Sequence, residues 1–251
     1  MKTLLLYLFL FPVIAVYAQK KQDISFYMFD KNWKGCKKAE DAAFLAQRKK
    51  INDTTYRWMY YNFTGPLVSI ETYKDEEATV PNGFMAYYGA DGKIDSCGNT
   101  ASGKKDAWWY YYTDSLTIWQ KKKYDNGKLL EHFDTLALRL EREENAAKHD
   151  SSDVLAEASF KGGDSDWMKY IQKRISFPDR TRNIGKGGQV IIGFAISSTG
   201  KVFDLNIEQS VEYAIDNELI NIIENSPAWK PASINGKSVK AYRRQPITVR
   251  F

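Results

Sequence analysis

The chain has 251 residues and a formal net charge of +5, from 36 Lys and Arg against 31 Asp and Glu. With 43% hydrophobic and 27% charged residues it can bury a sizeable core, which excludes a globally disordered protein. Two Cys and two His exclude a closed zinc site of the usual Cys-rich kind, and seven Pro exclude a long proline-rich spacer.

The N-terminus reads as an export signal. Lys2 precedes an apolar run from Leu4 to Val16, and Val16-Tyr17-Ala18 places small or β-branched residues at a cleavage site before Gln19. The competing reading is an uncleaved inner-membrane anchor. The run is shorter than the ~20 residues a spanning helix needs, and Pro12 interrupts it. Residues 1–18 are therefore expected to be a cleaved signal peptide and the mature protein periplasmic. Export would put Cys36 and Cys97 in an oxidising space, where they are either a disulfide pair or two separate thiols.

Lys38 to Lys50 follows as a run of strong helix formers and is expected to be a short helix. Residues 19–135 are otherwise rich in Tyr, Trp, Gly and Lys and read as repeated β-hairpins. Gly83 to Tyr88 leads to the turn Asp91-Gly92-Lys93, and Gly103 to Tyr112 leads on to Asp125-Asn126-Gly127-Lys128. Tyr56 to Tyr61, before Gly65-Pro66, is a weaker copy. Asp-Gly and Asn-Gly suit the positive φ of tight hairpin turns, and aromatic residues suit a half-buried pleat. The spacing is about 20 residues, the mark of a stacked repeat. Trp108 to Tyr112 reads in two ways: a stacking platform for sugar or nucleic acid, or alternate residues serving the two faces of one strand. Lys121-Lys122-Lys123 reads as a solvated strand end that protects an edge.

Residues 136–160 are dominated by charge and form a helix or a solvated linker, with a reach of ~80–90 Å if fully extended. Beyond them the pattern becomes regular. Trp167, Tyr170, Ile171 and Ile175 recur at helical spacing, with Asp164 or Ser165 as caps and Pro178 as a stop. Val190, Ile192, Phe194 and Ile196 alternate as a strand buried on at least one face, and Ser198-Thr199-Gly200 turns into a second strand with Phe203, Leu205 and Ile207. Ile215, Leu219, Ile222 and Ile223 form one apolar helical stripe, ended by Pro227. Trp229 is placed to plug the gap between helix and sheet. Asn235-Gly236-Lys237 turns, and Val239, Ala241, Ile247, Val249 and Phe251 alternate to the last residue. The order helix, strand, strand, helix, strand predicts an α+β module with helices on one face of a three-stranded antiparallel sheet.

Two resemblances follow from these residues. The stretch from about 56 to 130, with Gly, a spaced aromatic pair and an Asp/Asn-Gly-Lys turn, resembles MORN-type repeats in the variant form of bacterial exported proteins. Residues 160–251 resemble the C-terminal domain of TonB, in the form common in Bacteroidota. The matching stretches are Phe160 to Gly163, Ile175 to Pro178, Gly188 to Ile196, Gly200 to Val202, Pro227 to Ala232, Asn235 to Val239 and Gln245 to Phe251. The second resemblance implies a domain at 161–251 that captures an extended segment of an envelope protein, such as an outer-membrane transporter, by strand addition. The candidate edge is the last strand, with Arg243, Arg244, Gln245, Ile247 and Val249 as partner-binding residues. Arg243, Arg244 and Arg250 either steer an acidic partner or protect the edge, and the same edge would allow a homodimer. A membrane-held energy transducer is the alternative, and glycan or peptide binding by the aromatic repeats a second one.

No enzyme is expected. His132 and His149 lie in no recognisable motif. Gly185-Lys186-Gly187-Gly188 lacks the ending of a phosphate loop and leads into a strand. Glu76-Glu77 and Glu143-Glu144 read as solvated charge. No catalytic, cofactor or metal residue is assigned, and no nucleic-acid partner is expected.

Overall fold

The structure, a computed structural model, describes residues 24–147, 155–177 and 179–251. Residues 1–18, expected to be a signal peptide, and His149 and Pro178 lie outside the described residues.

The aromatic half of the chain folds as a long antiparallel meander. Its strands are β1 (Ile24–Phe29), β2 (Gly35–Cys36), β3 (Phe44–Asn52), β4 (Thr55–Asn62), β5 (Leu67–Tyr73), β6 (Gly83–Tyr88), β7 (Ile94–Ala101), β8 (Lys104–Tyr112), β9 (Ile118–Asp125) and β10 (Lys128–Phe133). Among the described residues these ten form one sheet in the order β10-β9-β8-β7-β6-β5-β4-β3-β1-β2. From β3 onward every strand pairs with its chain neighbour, most of them joined by short turns and β5 to β6 by the longer loop 74–82. The expected hairpins are there: Gly92 takes φ 80° between β6 and β7, and Asn126 and Gly127 take φ 46° and 87° between β9 and β10. The helix expected over Lys38 to Lys50 is not. Only Ala39–Asp41 make a short 3-10 turn, and β3 fills the rest. Phe44, Leu45 and Ala46 find cross-strand partners in Tyr27, Met28 and Phe29 of β1, so pairing overrides helix propensity.

The charged stretch begins as α1 (Thr135–Ala147). Asp134 caps it by accepting the Ala137 amide at 3.0 Å, and Thr135 donates its hydroxyl to the Trp119 carbonyl. Lys121 ties the helix to the sheet through Glu141 at 2.6 Å, with its ammonium over the rings of Trp108 and Phe133. Lys121 is therefore an anchor rather than solvated edge charge.

The C-terminal unit comprises β11 (Leu155–Ala156), α2 (Gly163–Arg174), α3 (Asp179–Ile184), β12 (Gly188–Ile196), β13 (Val202–Gln209), α4 (Tyr213–Glu224), β14 (Ala232–Ile234), β15 (Lys237–Val239) and β16 (Ala241–Val249). The expected helix–strand–strand–helix–strand order is kept as α2, β12, β13, α4 and β16. To it are added the short α3 and a small sheet β11-β14-β15. The main sheet runs β13-β12-β16. Residues 155–160, read from sequence as linker, belong to this unit: Ala158 and Phe160 enter its core, and Ser159 bridges to Lys230. The cap of α2 is Gly162 in the left-handed region, with Asp164 and Asp166 in the first turn where the helix dipole favours them.

One face of this sheet packs on helices. Val190, Ile192, Phe194, Ile247 and Val249 meet Trp167, Ile171, Ile215, Leu219 and Ile223. Trp229 sits among Phe160, Trp167 and Phe194 at ring distances of 4.8 to 5.5 Å and closes the gap between helix and sheet. Gly200, at φ 83°, lies so close that a Cβ would run into the Trp229 carbonyl.

The other face is covered by the large sheet. Ile191 and Ile207 share a core with Leu45, Tyr61, Leu67, Ile70, Ala86, Ile94 and Cys97. Strand β12 is thus buried on both faces from Val190 to Ile196. Two register shifts in the β12–β13 ladder break the alternation expected of Phe203, Leu205 and Ile207. Leu205 packs on the helix side, Ile207 enters the shared core, and Phe203 is exposed.

Candidate functional site

Strand β16 pairs with β12 over nine residues, from Gly188–Val249 to Ile196–Ala241. Among the described residues no strand pairs with its far side, so β16 is an open edge. Pro246 lies in mid-strand opposite Ile191 and has no N–H to give. A proline fits a sheet only where its nitrogen faces away from the ladder, so position 246 faces the open side. Residues of the same parity share that direction. Tyr242, Arg244 and Thr248 therefore turn both N–H and C=O outward, and Pro246 turns its C=O outward. That is a template for one more strand.

Of the residues named from sequence, only Arg244 shares the parity of the outward positions. Ile247 and Val249 are buried in the helix-side core. Gln245 is buried and accepts a hydrogen bond from Trp167 Nε1 at 2.7 Å. Arg243 pairs with Asp164, donates to the Ala158 carbonyl at 3.0 Å and lies over the Trp229 ring. Arg244 pairs with Glu208 on β13 and reaches the Leu116 carbonyl in the β8–β9 turn. Both arginines act as staples. They hold β16 to α2 on one side and to β13 and the large sheet on the other, and Arg244 keeps about half of its side chain exposed. Burial raises the Glu208 carboxyl above its ordinary value, opposed by Arg244. The side chains that do flank the edge are Tyr242, 69% exposed, with Pro246 and Thr248. A period-2 reading outward from Ile247 and Val249 gives these positions, and a mid-strand Pro is itself a sign of an edge.

The two units are joined by a polar seam that sequence reasoning missed. Gly92 accepts the Ser210 amide at 2.9 Å, and a Cβ on Gly92 would collide with the Ser210 carbonyl. Ser210 Oγ accepts the Leu67 amide at 2.8 Å and donates to Asp216. Tyr88 donates to the Ile207 carbonyl at 2.7 Å, Gln47 reaches the Tyr213 hydroxyl at 3.3 Å, and Arg180 donates to the Phe63 carbonyl. Glu212, fully buried, caps α4 by accepting the Ile215 amide at 3.1 Å and also accepts the Thr181 hydroxyl at 2.8 Å. Burial pushes the Asp216 carboxyl up to about 7, against the stabilising donors Ser210 and Val211 N–H, with nearby Glu212 adding to the rise. Burial likewise raises the hydroxyls of Tyr61 and Tyr88 well above their ordinary range.

The remaining sequence candidates separate in space. Cys36 lies on β2 and Cys97 on β7, six strand steps apart, which is about 29 Å at the usual strand spacing. Both are free, so of the two readings the structure has the two separate thiols. Trp109 is 2% exposed, donates its indole N–H to the Asn99 carbonyl at 2.8 Å and lies beneath Lys105. Trp108 points to the opposite face beneath Lys121. The pair is divided between two faces and makes no common platform. His132 sits beside Gln120 at 2.9 Å. Among the described residues no group of three or more His, Cys, Asp or Glu is placed to hold a metal ion. No helix among them is long and apolar enough to cross a membrane.

No curated protein and no solved structure matches the chain. Residues 173–251 match a family model, that of the Gram-negative bacterial TonB protein C-terminal. The matched stretch runs from the last turn of α2 through β16 and contains the open edge, its staples and the seam residues Ser210, Glu212 and Asp216. Over that stretch the chain is similar to the TonB C-terminal family.

Proposed function

We propose that this is an exported, non-enzymatic envelope protein that captures an extended segment of another envelope protein by strand addition to β16. An outer-membrane transporter is the partner class the family suggests. The carrying observation is the open side of β16, with the outward N–H and C=O groups of Tyr242, Arg244 and Thr248. Affinity then comes from main-chain hydrogen bonds, and selectivity from what can lie beside Tyr242 and Pro246. We read residues 1–18 as the export signal and the protein as periplasmic, of the Bacteroidota TonB-like type. The meander we read as MORN-like, on its Gly-aromatic strands and Asp/Asn-Gly-Lys turns.

The test uses a photo-crosslinking residue at position 242 in cells that make the full-length protein. A crosslink to the exposed segment of an outer-membrane transporter is expected, and Thr248→Pro should suppress it. That change removes one outward donor at a parity where the strand already holds Pro246. A crosslink that persists unchanged in the Thr248→Pro protein, while the fold is intact by circular dichroism, refutes strand addition.

A further inference from the structure

A cleft of about 700 Å³ opens where the turns after β4 and β6 meet the loop before β12. Its size is that of a small-ligand site. It lies beyond the C-terminal end of β16, where a Cβ on Gly187 would meet the Val249 carbonyl, and it uses none of the outward edge groups.

Trp33 stands at the cleft. One face of its ring stacks on Phe44 at 4.0 Å and 8°, and the Tyr60 ring meets it edge-on at 5.7 Å. The Phe29 ring is a further neighbour at 6.0 Å, and the residue nonetheless remains 47% exposed. The backbone is held at φ 61°, a region that a bulky side chain rarely occupies. The turn that enforces it is fixed by Asp30, whose side chain accepts the amides of Asn32 and Lys34 at 2.8 and 3.0 Å. Phe63 and Tyr88 add apolar wall, Thr64 adds an exposed hydroxyl, and Lys186 is the one charged residue lining the cleft. The Lys186 ammonium lies 3.7 Å from where a Cβ on Gly65 would sit.

An open aromatic face is electron-rich and attracts the polarised C–H groups of a sugar ring. The Lys186 ammonium, lining the same cleft, can pair with one carboxylate. The Arg180 guanidinium at this wall is engaged with the Phe63 carbonyl and ring, which leaves Lys186 to meet an anion. We propose that this cleft binds a carboxylated glycan, with a sugar ring on Trp33 and its carboxylate on Lys186. The inference is independent of strand addition at β16.

The experiment is calorimetric titration of the full-length protein with a uronic-acid oligosaccharide, its neutral counterpart of equal length, and an acidic peptide. The uronic-acid oligosaccharide should bind tightest. Trp33→Ala should weaken both sugars about tenfold, the scale of one lost stacking contact. Lys186→Gln, an exposed change that leaves the fold alone, should weaken the acidic sugar several-fold and the neutral one not at all. Binding of neither sugar, equal losses for both in Lys186→Gln, or tighter binding of the acidic peptide would each overturn the proposal.

Discussion

The sharpest test of the architecture is Ile207→Ala. Ile207 lies on β13 but packs among Leu45, Tyr61, Leu67 and Ile94 of the large sheet, with 1% of its surface exposed. Truncating a fully buried Ile costs about 2–5 kcal/mol, and the rigid β-sheet wall on one side limits collapse into the void. We therefore expect about 3 kcal/mol, or a drop in Tm of roughly 6–12 °C for a protein of this size. The distinguishing readout is hydrogen exchange followed by mass spectrometry. Because the core is shared, protection should fall together in β4–β7 and in β12–β13. The reciprocal change Leu67→Ala should lower protection in β12–β13 as well. If Ile207→Ala loosens only the C-terminal unit and leaves the meander at its original protection, the two units fold independently and the shared core carries no energy.

Two further outcomes follow from the seam and the helix-side core. The Asp216 carboxyl, at about 7 in the fold against 3.8 in the open chain, binds more protons folded than unfolded across that window. Its contribution is thus fully present below pH ~4 and lost as pH rises through ~7, on the order of 4 kcal/mol. Urea midpoints of the Asp216→Asn protein should be flatter over this range than those of the parent, and an identical pH profile would refute the assignment. Gly200→Ala puts a Cβ against the Trp229 carbonyl at φ 83° and should cost about 2 kcal/mol or more by urea denaturation, where a change within error would mean the turn relaxes freely.

The C-terminal half was readable because its packing obeys local periodicity. Ile215, Leu219, Ile222 and Ile223 are the buried stripe of α4, and Trp229 is the plug between helix and sheet. The hairpin turns of the meander were readable because Gly92 and Asn126-Gly127 encode their own geometry. The Lys38–Lys50 segment was misread because propensity is a local quantity and strand pairing is not. The second face of β12 was also hidden. A strand that is apolar on both faces shows that it is covered twice, but not by what. The partners of the β16 arginines were hidden for the same reason: Asp164 and Glu208 lie far away in sequence, and nothing in a charge pattern distinguishes a staple from a free cation. Trp33 was passed over because only the fold places it beside Lys186.

These placements bear on what β16 can do once occupied. A segment docked on β16 is bonded to the sheet through the nine-residue β12–β16 ladder, with Arg243–Asp164 and Arg244–Glu208 resisting peeling of the edge. Behind that ladder, β12 is clamped between the helices and the large sheet. A swinging arm would need a free spacer between the units. Both ends of the expected spacer are fastened instead: α1 to the sheet through Lys121 and Glu141, and Phe160 in the helix-side core. Seam contacts such as Ser210–Gly92 and Tyr88–Ile207 would have to break before the C-terminal unit could reach away from the meander. The geometry therefore favours a fixed docking station, in which the captured strand is held at a constant position relative to the meander and to the cleft at Trp33. A long-reach transducer would need that seam to open, and the Ile207→Ala exchange experiment measures how strongly it is held shut.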